Sequence, residues 1–553
     1  MHRKRTPRWL SRPGAVLAAI ALAVSGLALS WGSASAAPTT GTLYTPNISA
    51  NPNEDASYPR VIRLEHSGSS NGTLLATFAH SGVAGTKANF PIYSSTDGGN
   101  HWTASPIGTV TDTVHGWDLD GPTLYELPQA EGSLPAGTLL ASGTAWNHGD
   151  YTQQSVEVFV STDHGATWSY RSSCASESGT ANTIGHGIWE PEFTVASNGS
   201  LVCFFSDERP SSQSYNQVVA HVVSTDGGAT WGNEVYDVAV QDGVQRPGMA
   251  SVVKLPNGSY AMAYEDCKAG YDPDTACSVY VKTSPDGLGW TPGSLGNLAQ
   301  TADGRHFLHT PQLAWSPSGG ANGTLLLSGQ RVVYGNDGAI TVQKESGSVL
   351  LANTNLGSGN WTETTAPVVV DPTGGYDSGE TPCPGYSSPI LPSADGSTVL
   401  YMAGTHLSNG KCEVRFGIDV TPGPTGHITG PGTTGKCLDV DTNTSTSGNK
   451  VQLWDCNSTA IPGQQWSVES DGTVRAFGKC LDITGNGTAN FTPVQLWDCG
   501  TAGGQKWVHQ ANGSLLNPQS GRCLDDPQAK TDNGTQLQIY DCNGLFTQVW
   551  NLP

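Results

Sequence analysis

Charged residues are scarce in this sequence, 13% of 553 positions, about half the roughly 25% of an ordinary globular chain. Helix-rich folds carry more charge and less glycine, so the composition argues against a mainly α-helical protein. Basic residues are the scarcer sign, with Lys+Arg 26 against Asp+Glu 47 and a net charge of −21. Such acidity disfavours nucleic acid and anionic membranes as partners and leaves a neutral one. Long apolar runs are missing beyond residues 15–30. That one run follows Arg3, Lys4, Arg5, Arg8 and Arg12 and precedes Ala34-Ser35-Ala36, so 1–36 reads as a secretory signal. No twin-Arg pair is present, which favours the general export route, and the mature protein is expected to be a soluble, secreted monomer. Short paired cysteine spacings are absent as well. The 12 Cys are scattered after the signal, and an even number in an exported chain implies disulfides rather than metal ligands. No metal and no cofactor are expected.

Glycine is abundant, 69 residues, which suits many short strands joined by tight turns. Two internal repeats organise them. In the C-terminal third, Cys-Leu-Asp recurs at 437, 480 and 523, and each Cys is followed 19 residues later by another, at 456, 499 and 542. Each unit closes on Gln-x-Trp, at Trp466, Trp507 and Trp550. The recurring spacing predicts Cys437–Cys456, Cys480–Cys499 and Cys523–Cys542 bridges. Cys267–Cys277 is a local pair, and Cys174–Cys203 and Cys383–Cys412 follow by elimination. The pattern resembles the ricin-B-type β-trefoil lectins over 426–553. That resemblance implies three sugar sites, formed by Asp439, Gln452 and Trp454, by Asp482, Gln495 and Trp497, and by Asp525, Gln538 and Tyr540. Asp and Gln hydrogen-bond sugar hydroxyls and the aromatic ring stacks on the apolar sugar face. The Gln-x-Trp tryptophans read as core. Lectins of this type often have Asn just before Gln-x-Trp, where this chain has Gly463, Gly504 and Thr547.

The second repeat fills 41–420. Six strand–turn–strand segments centre on Asn71-Gly72, Ala136-Gly137, Asn198-Gly199, Asn257-Gly258, Asn322-Gly323 and Asp395-Gly396, the chemistry of tight hairpins. After the first four turns comes STDGGNHW (95–102), STDHGATW (161–168), STDGGATW (224–231) and SPDGLGW (284–290), with a degraded NTNLGSGNW at 353–361. Asp accepting backbone N–H groups, Gly at φ > 0 and Trp as a staple make this a turn device, structural rather than catalytic. It resembles the Asp box of sialidase-like proteins. Units of this size and number suggest an all-β protein, a six-bladed β-propeller over 41–420 followed by the C-terminal β-trefoil. LYTPNIS (43–49) would complete the last blade, and the Pro/Gly-rich 421–435 reads as a short linker.

In a propeller the first strand of each blade lines the central channel. Upstream of the turns stand Arg60, Asp118 and Asp120, Glu190, Arg246, Arg305 and His309, and Tyr386, with Glu265 after the fourth turn. A solvated channel mouth without chemistry would also place polar residues there. Two features favour a site. Glu190 lies between Trp189 and Pro191, and Glu265 ends the apolar YAMAYE. Poorly solvated carboxyls are costly unless used or paired, and two facing one cavity are the minimum set for glycoside hydrolysis. A structural ion pair such as Glu190–Arg246 is the rival explanation. Glu192 follows two residues after Glu190 and would share its face on a regular strand.

The segments YPRVIRL, FPIYSSTDGG, GWDLDGPTLYELP, GIWEP, RPGMASVVKLPNGSYAMAYE and CPGYSSPI resemble the family 93 glycoside hydrolases over roughly 41–415. The resemblance implies a retaining exo-α-L-arabinanase that releases arabinobiose from α-1,5-linked arabinan, with Glu190 as nucleophile and Glu265 as acid/base. Arg60, Asp118, Arg246 and Tyr386 match motifs of the family and are expected to bind substrate. The partner would be a plant cell-wall polysaccharide or another neutral glycan. An exo-α-sialidase is the alternative enzyme, although the first blade lacks the Arg-Ile-Pro form and TLLATFAHSG lacks the Arg and Asp of sialidases. A non-enzymatic double lectin is the third reading.

Overall fold

The six turn glycines Gly72, Gly137, Gly199, Gly258, Gly323 and Gly396 all take positive φ, between 65° and 90°, and each reverses the chain between two strands in the computed structural model. The structure describes residues 39–147, 153–178, 187–272, 275–370, 383–420, 423, 425–432, 434–457, 461–469, 471–510 and 512–553. The expected signal, 1–36, lies outside them. Among the described residues no helix is long and apolar enough to cross a membrane.

Five four-stranded antiparallel sheets follow one another in a propeller-like arrangement. Their first strands are Asp55–Arg63, Asp118–Glu126, Ile188–Val195, Gln312–Ser316 and Ile390–Pro392. Between the third and the fifth first strand lies a seven-stranded sheet that begins Gln245–Lys254, Tyr260–Lys268, Cys277–Ser284. It is extended by Arg305–Leu308, Arg331–Asn336 and Ala339–Val342. The last sheet is completed from the N-terminal side by Thr39–Tyr44, which pairs with Cys412–Val420. The closing strand therefore starts a few residues earlier than 43–49.

Apolar layers lie between successive sheets. Tyr58, Leu75 and Phe90 pack with Leu124 and Phe159, and Phe204 and Val219 pack with Met262 and Tyr264. Val61, Leu74 and Phe78 pack with Leu400, Met402 and Phe416, which seals the last sheet onto the first. The Asp boxes staple the outer hairpins. Asp97, Asp163 and Asp226 each accept the backbone N–H four residues on, at 2.9–3.0 Å, and the Ser before each accepts the Gly N–H at 2.8–3.0 Å. In the degraded copy Asn353 Oδ1 accepts Gly357 N–H at 2.9 Å in the serine's place.

The C-terminal region is a separate β-rich unit around one core, with Trp466, Trp507 and Trp550 almost fully buried. Each indole N–H donates to the carbonyl of the leucine in Cys-Leu-Asp, Leu438, Leu481 or Leu524, at 2.9–3.1 Å. All six expected disulfides are present. The expected linker, 421–435, is corrected by the structure. Thr425–Gly426 pairs with Trp466–Val468 and Ile428 is fully buried in the C-terminal core, so this part of the segment belongs to the C-terminal unit. Arg475, also buried, reaches back to Asp419 at 3.4 Å. Proline and glycine content marks a spacer only where no apolar side chain anchors it, and Ile428 does so here.

Candidate active site and sugar sites

Each first strand enters its sheet through a residue in the left-handed region. These are Tyr58 (φ 57°), Gly121 (58°), Glu190 (52°), Met249 (57°), Thr310 (49°) and Ser387 (51°). In four sheets the ladder slips one register there, between Ser57 and Arg60, Asp120 and Thr123, Trp189 and Glu192, and Gly248 and Ser251. Bulky residues rarely adopt this conformation, and such strain concentrates at functional sites. The bulges turn side chains out of simple alternation, so Glu190 and Glu192 are not two equivalent positions on one face.

Glu190 and Glu265 lie close enough for the charge of Glu265 to act on Glu190, on strands that Ser206 links. Ser206, cross-strand from Trp189, donates its hydroxyl to Glu190 Oε2 at 2.8 Å and accepts Met249 N–H at 3.0 Å. Gly248, next to Met249, lies cross-strand from Glu265. Glu265 Oε2 accepts Thr310 N–H at 2.7 Å and stands 3.8 Å from His309 Nδ1. On its other side Glu190 lies against the bulge in the first strand of the second sheet: a Cβ on Gly121 would lie 3.8 Å from its Cα and Cγ. Trp189 packs edge-on against Trp146 at 5.5 Å, and Tyr58 against Tyr386 at 5.2 Å.

Burial pushes the Glu190 carboxyl up to about 8; the Ser206 hydrogen bond opposes this and the neighbouring Glu265 charge adds to it. Burial also raises Glu265, opposed by the Thr310 N–H and by Arg246. Tyr386 is pushed well above its ordinary range by burial first, then by Glu265, Glu190 and Asp120. Glu192 rises to about 7 through burial, against the pull of Arg60 and the Thr123 hydroxyl.

In the C-terminal unit the three copies build the same constellation. Asp439 accepts Gln452 Nε2 at 2.9 Å, Asp482 accepts Gln495 Nε2 at 2.8 Å, and Asp525 accepts Gln538 Nε2 at 3.0 Å. Trp454 and Trp497 remain 40% and 44% exposed, and Tyr540 is half-buried. The glycines before Gln-x-Trp have a reason. Asn443 and Asn486 each bond the N–H of Gly463 or Gly504, at 2.6 and 2.8 Å. A Cβ there would stand 2.8 Å from the Asn oxygen.

Two families match the chain, a BNR repeat-like domain over residues 68–316 and a ricin-type beta-trefoil lectin domain over 424–550. A family 93 α-L-arabinofuranosidase of Fusarium graminearum, solved with arabinobiose, is similar at 27% identity and TM-score 0.57, over 70% of this chain and 98% of that one. An α-L-arabinanase of Penicillium chrysogenum, also with arabinobiose, is similar at 29% and TM-score 0.57, over 69% and 98%. Beta-galactoside-specific lectin 2 of Viscum album is 41% identical over 56 residues, 10% of each chain. The chain thus matches about a tenth of that curated relative's length. The chain is a family-93-like propeller fused to a ricin-type lectin domain.

Within the family-93-like propeller, the structure brings Glu190, Glu265, Tyr386 and Arg60 to the same region. Arg60 lies over the Tyr58 ring at 5.2 Å and donates to Ser387 O at 3.0 Å. Arg246 does not pair with Glu190 as the rival explanation required. Its guanidinium bonds Glu208, which also accepts Gly187 N–H at 3.0 Å, while its charge still lowers Glu190 and Glu265. Asp118 is buried, taking Ala88 N–H at 2.8 Å and Lys87 Nζ at 3.1 Å. Asp120 is the second-sheet acid felt by both Tyr58 and Tyr386. Arg305 leaves the channel altogether, sitting on the extension of the fourth sheet with Asp303 and Glu363 at 3.1 and 2.8 Å. Ser206, Tyr58, Glu208 and Thr310 were not legible as site residues. One signal was available: Tyr58, Gly121, Glu190 and Thr310 each precede a proline.

Proposed function

We propose that this protein is a secreted, retaining exo-glycoside hydrolase that releases arabinobiose from α-1,5-linked L-arabinan. We read its sheets as six blades over 41–420 and its C-terminal unit as a β-trefoil that holds the enzyme, a monomer, on plant cell-wall polysaccharide. The observation that carries the reading is the pair of poorly solvated carboxyls, Glu190 and Glu265, joined through Ser206 and Met249 on neighbouring sheets. The arabinobiose complexes of the two similar enzymes supply the substrate class.

One carboxylic acid protonates the leaving glycosidic oxygen while the other carboxylate attacks the anomeric carbon. Water then hydrolyses the glycosyl-enzyme with the first group acting as base. Resemblance gives Glu190 the nucleophile's role and Glu265 the acid/base role. A second reading exchanges them. Glu265 accepts a backbone N–H and faces His309, which favours a carboxylate, whereas Glu190, pushed up to about 8, retains a proton at neutral pH. Arg60, Arg246, Asp118 and Tyr386 are the proposed substrate-binding groups, with Asp120 beside them. The sialidase alternative needs three arginines converging on a carboxylate, yet Arg246 and Arg305 are engaged with Glu208 and Glu363. Azide added to the Glu190→Ala and Glu265→Ala variants with an activated arabinoside tests the roles. The nucleophile variant yields an arabinosyl azide of inverted configuration and the acid/base variant one of retained configuration. Rescue of neither variant would end the two-carboxylate mechanism.

A further inference from the structure

The three C-terminal copies repeat the same framework, and one of the positions at which they differ carries an unusual backbone. Gly448, Phe491 and Gly534 are equivalent, each 43 residues from the next, and all three are left-handed, with φ of 87°, 70° and 89°. Their N–H groups donate to Leu496, Ile539 and Leu453 carbonyls at 2.7, 2.9 and 2.9 Å. The residue before each is anchored the same way. Ser447, Asn490 and Asn533 donate to Asp498, Asp541 and Asp455 at 2.9, 2.8 and 2.8 Å.

A glycine meets this conformation without cost; a phenylalanine does not. Nor does burial offset the strain, because Phe491 is 66% exposed. What its ring does touch is Tyr540, at 5.1 Å and tilted by 60°. In the other copies a glycine stands at the edge of the stacking indole. Cβ positions on Gly448 and Gly534 would lie 3.4 Å from Trp497 and 4.0 Å from Trp454.

We infer that Phe491 and Tyr540 form a two-ring corner that grips two successive units of a neutral oligosaccharide, whereas the first two copies stack one unit on a single indole. The inference rests on the reading of the C-terminal unit as sugar-binding. A second ring inclined at 60° cannot lie flat on the sugar face that Tyr540 covers. It meets the C–H face of the next unit, so the third copy discriminates oligosaccharide from monosaccharide. Strained residues persist where their side chain is used.

The test uses the full chain with Glu190→Gln, which stops hydrolysis of the probe, and with Trp454→Ala and Trp497→Ala, both exposed in the fold, so that only the third copy keeps its stacking ring. Calorimetric titration compares methyl α-L-arabinofuranoside with α-1,5-arabinotriose, and methyl β-D-galactoside with lactose, before and after adding Phe491→Gly. Sugar bound by the propeller is common to both proteins and cancels. The corner predicts roughly fivefold to tenfold weaker binding of an oligosaccharide after Phe491→Gly, monosaccharide binding within about twofold, and a melting temperature that does not fall. Unchanged oligosaccharide affinity, an equal loss for both sizes, or a lower melting temperature would overturn it. If the unmutated chain bound none of the four probes, the sugar-binding reading itself would fall and take this proposal with it.

Discussion

Replacing Asp526 by valine should stabilise the C-terminal unit. Asp526 follows Cys-Leu-Asp in the third copy, where the first two copies have Val440 and Ile483, both fully buried in the core. It is 1% exposed and neither carboxyl oxygen has a hydrogen-bond partner among the described residues. Burial, then the charge of Asp525, raises it from 3.8 to about 6. Each pKa unit is worth about 1.4 kcal/mol, so the ionised form costs at most about 3 kcal/mol above pH 6. The next residues, Pro527 to Ala529, are half-buried or exposed, and nearby solvent reduces that to about 1–2 kcal/mol. The sign follows from linkage. With a raised folded pKa the native state holds the extra proton between roughly pH 4 and 6, so stability falls as pH rises through that window and stays low above it. Asp526→Val removes the slope. Scanning calorimetry at pH 8 should show the C-terminal transition several degrees higher, about 3–8 °C for a unit of this size, with a much smaller gain at pH 4. An equal gain at both values would assign the effect to packing rather than charge. No gain at pH 8 would mean the carboxylate has a partner, and the reasoning would fail.

Glu190→Gln and Glu265→Gln should each lower kcat by at least about 100-fold with melting temperature unchanged, since each removes a group that moves a proton or bonds the substrate. Because burial holds a proton on the pair up to about pH 8, kcat/KM should decline on the alkaline side near that value, whichever residue carries it; a flat profile to pH 10 would count against the acid. Gly248→Ala would place a Cβ 2.5 Å from Gln217 Nε2 and 3.1 Å from Ser206 Oγ, displacing the hydroxyl that orients Glu190. A fall of about tenfold in kcat with little change in KM is expected. A truncation that removes the chain from residue 423 on should spare turnover of a small soluble arabinoside and reduce hydrolysis of insoluble cell wall, because several weak sugar sites act together on one polymer. A truncation starting at 436 should precipitate, since it leaves Ile428 and the Thr425–Gly426 strand without their core.

Much of this was legible because its chemistry is short-range. An Asn-Gly turn, a Ser-x-Asp-x-Gly box or a 19-residue cysteine spacing acts within a few residues of itself or repeats identically, and all of these stand in the structure as read. What escaped depends on contacts between sheets. Asp118 and Asp120 lie two apart on one strand, so alternation could not tell their surroundings apart; the structure shows Asp118 held by Lys87 and Ala88 from the loop before Phe90–Ser95, and Asp120 acting on Tyr58 and Tyr386. Arg305 read as a channel residue, but its strand, Arg305–Leu308, extends the seven-stranded sheet by pairing with Arg331–Asn336. The left-handed entry residues were hidden because Tyr58, Met249 and Thr310 are not types that advertise positive φ. Only the proline after some of them hinted at the bulge. Ser206 was invisible for a simpler reason: a serine in a buried strand is ordinary until Glu190 and Met249 are seen on either side of it.

Hydrolysis of an arabinan bond with retention by two carboxylates is read out by following the purified protein on linear α-1,5-arabinan by proton NMR from the first minutes of reaction. Arabinobiose is expected as the released product, appearing first as the α-anomer and drifting to the equilibrium mixture only later. Initial release of the β-anomer would place a water between the carboxyls and contradict the mechanism. Inert arabinan together with sialic acid freed from a sialoside would contradict the account as a whole.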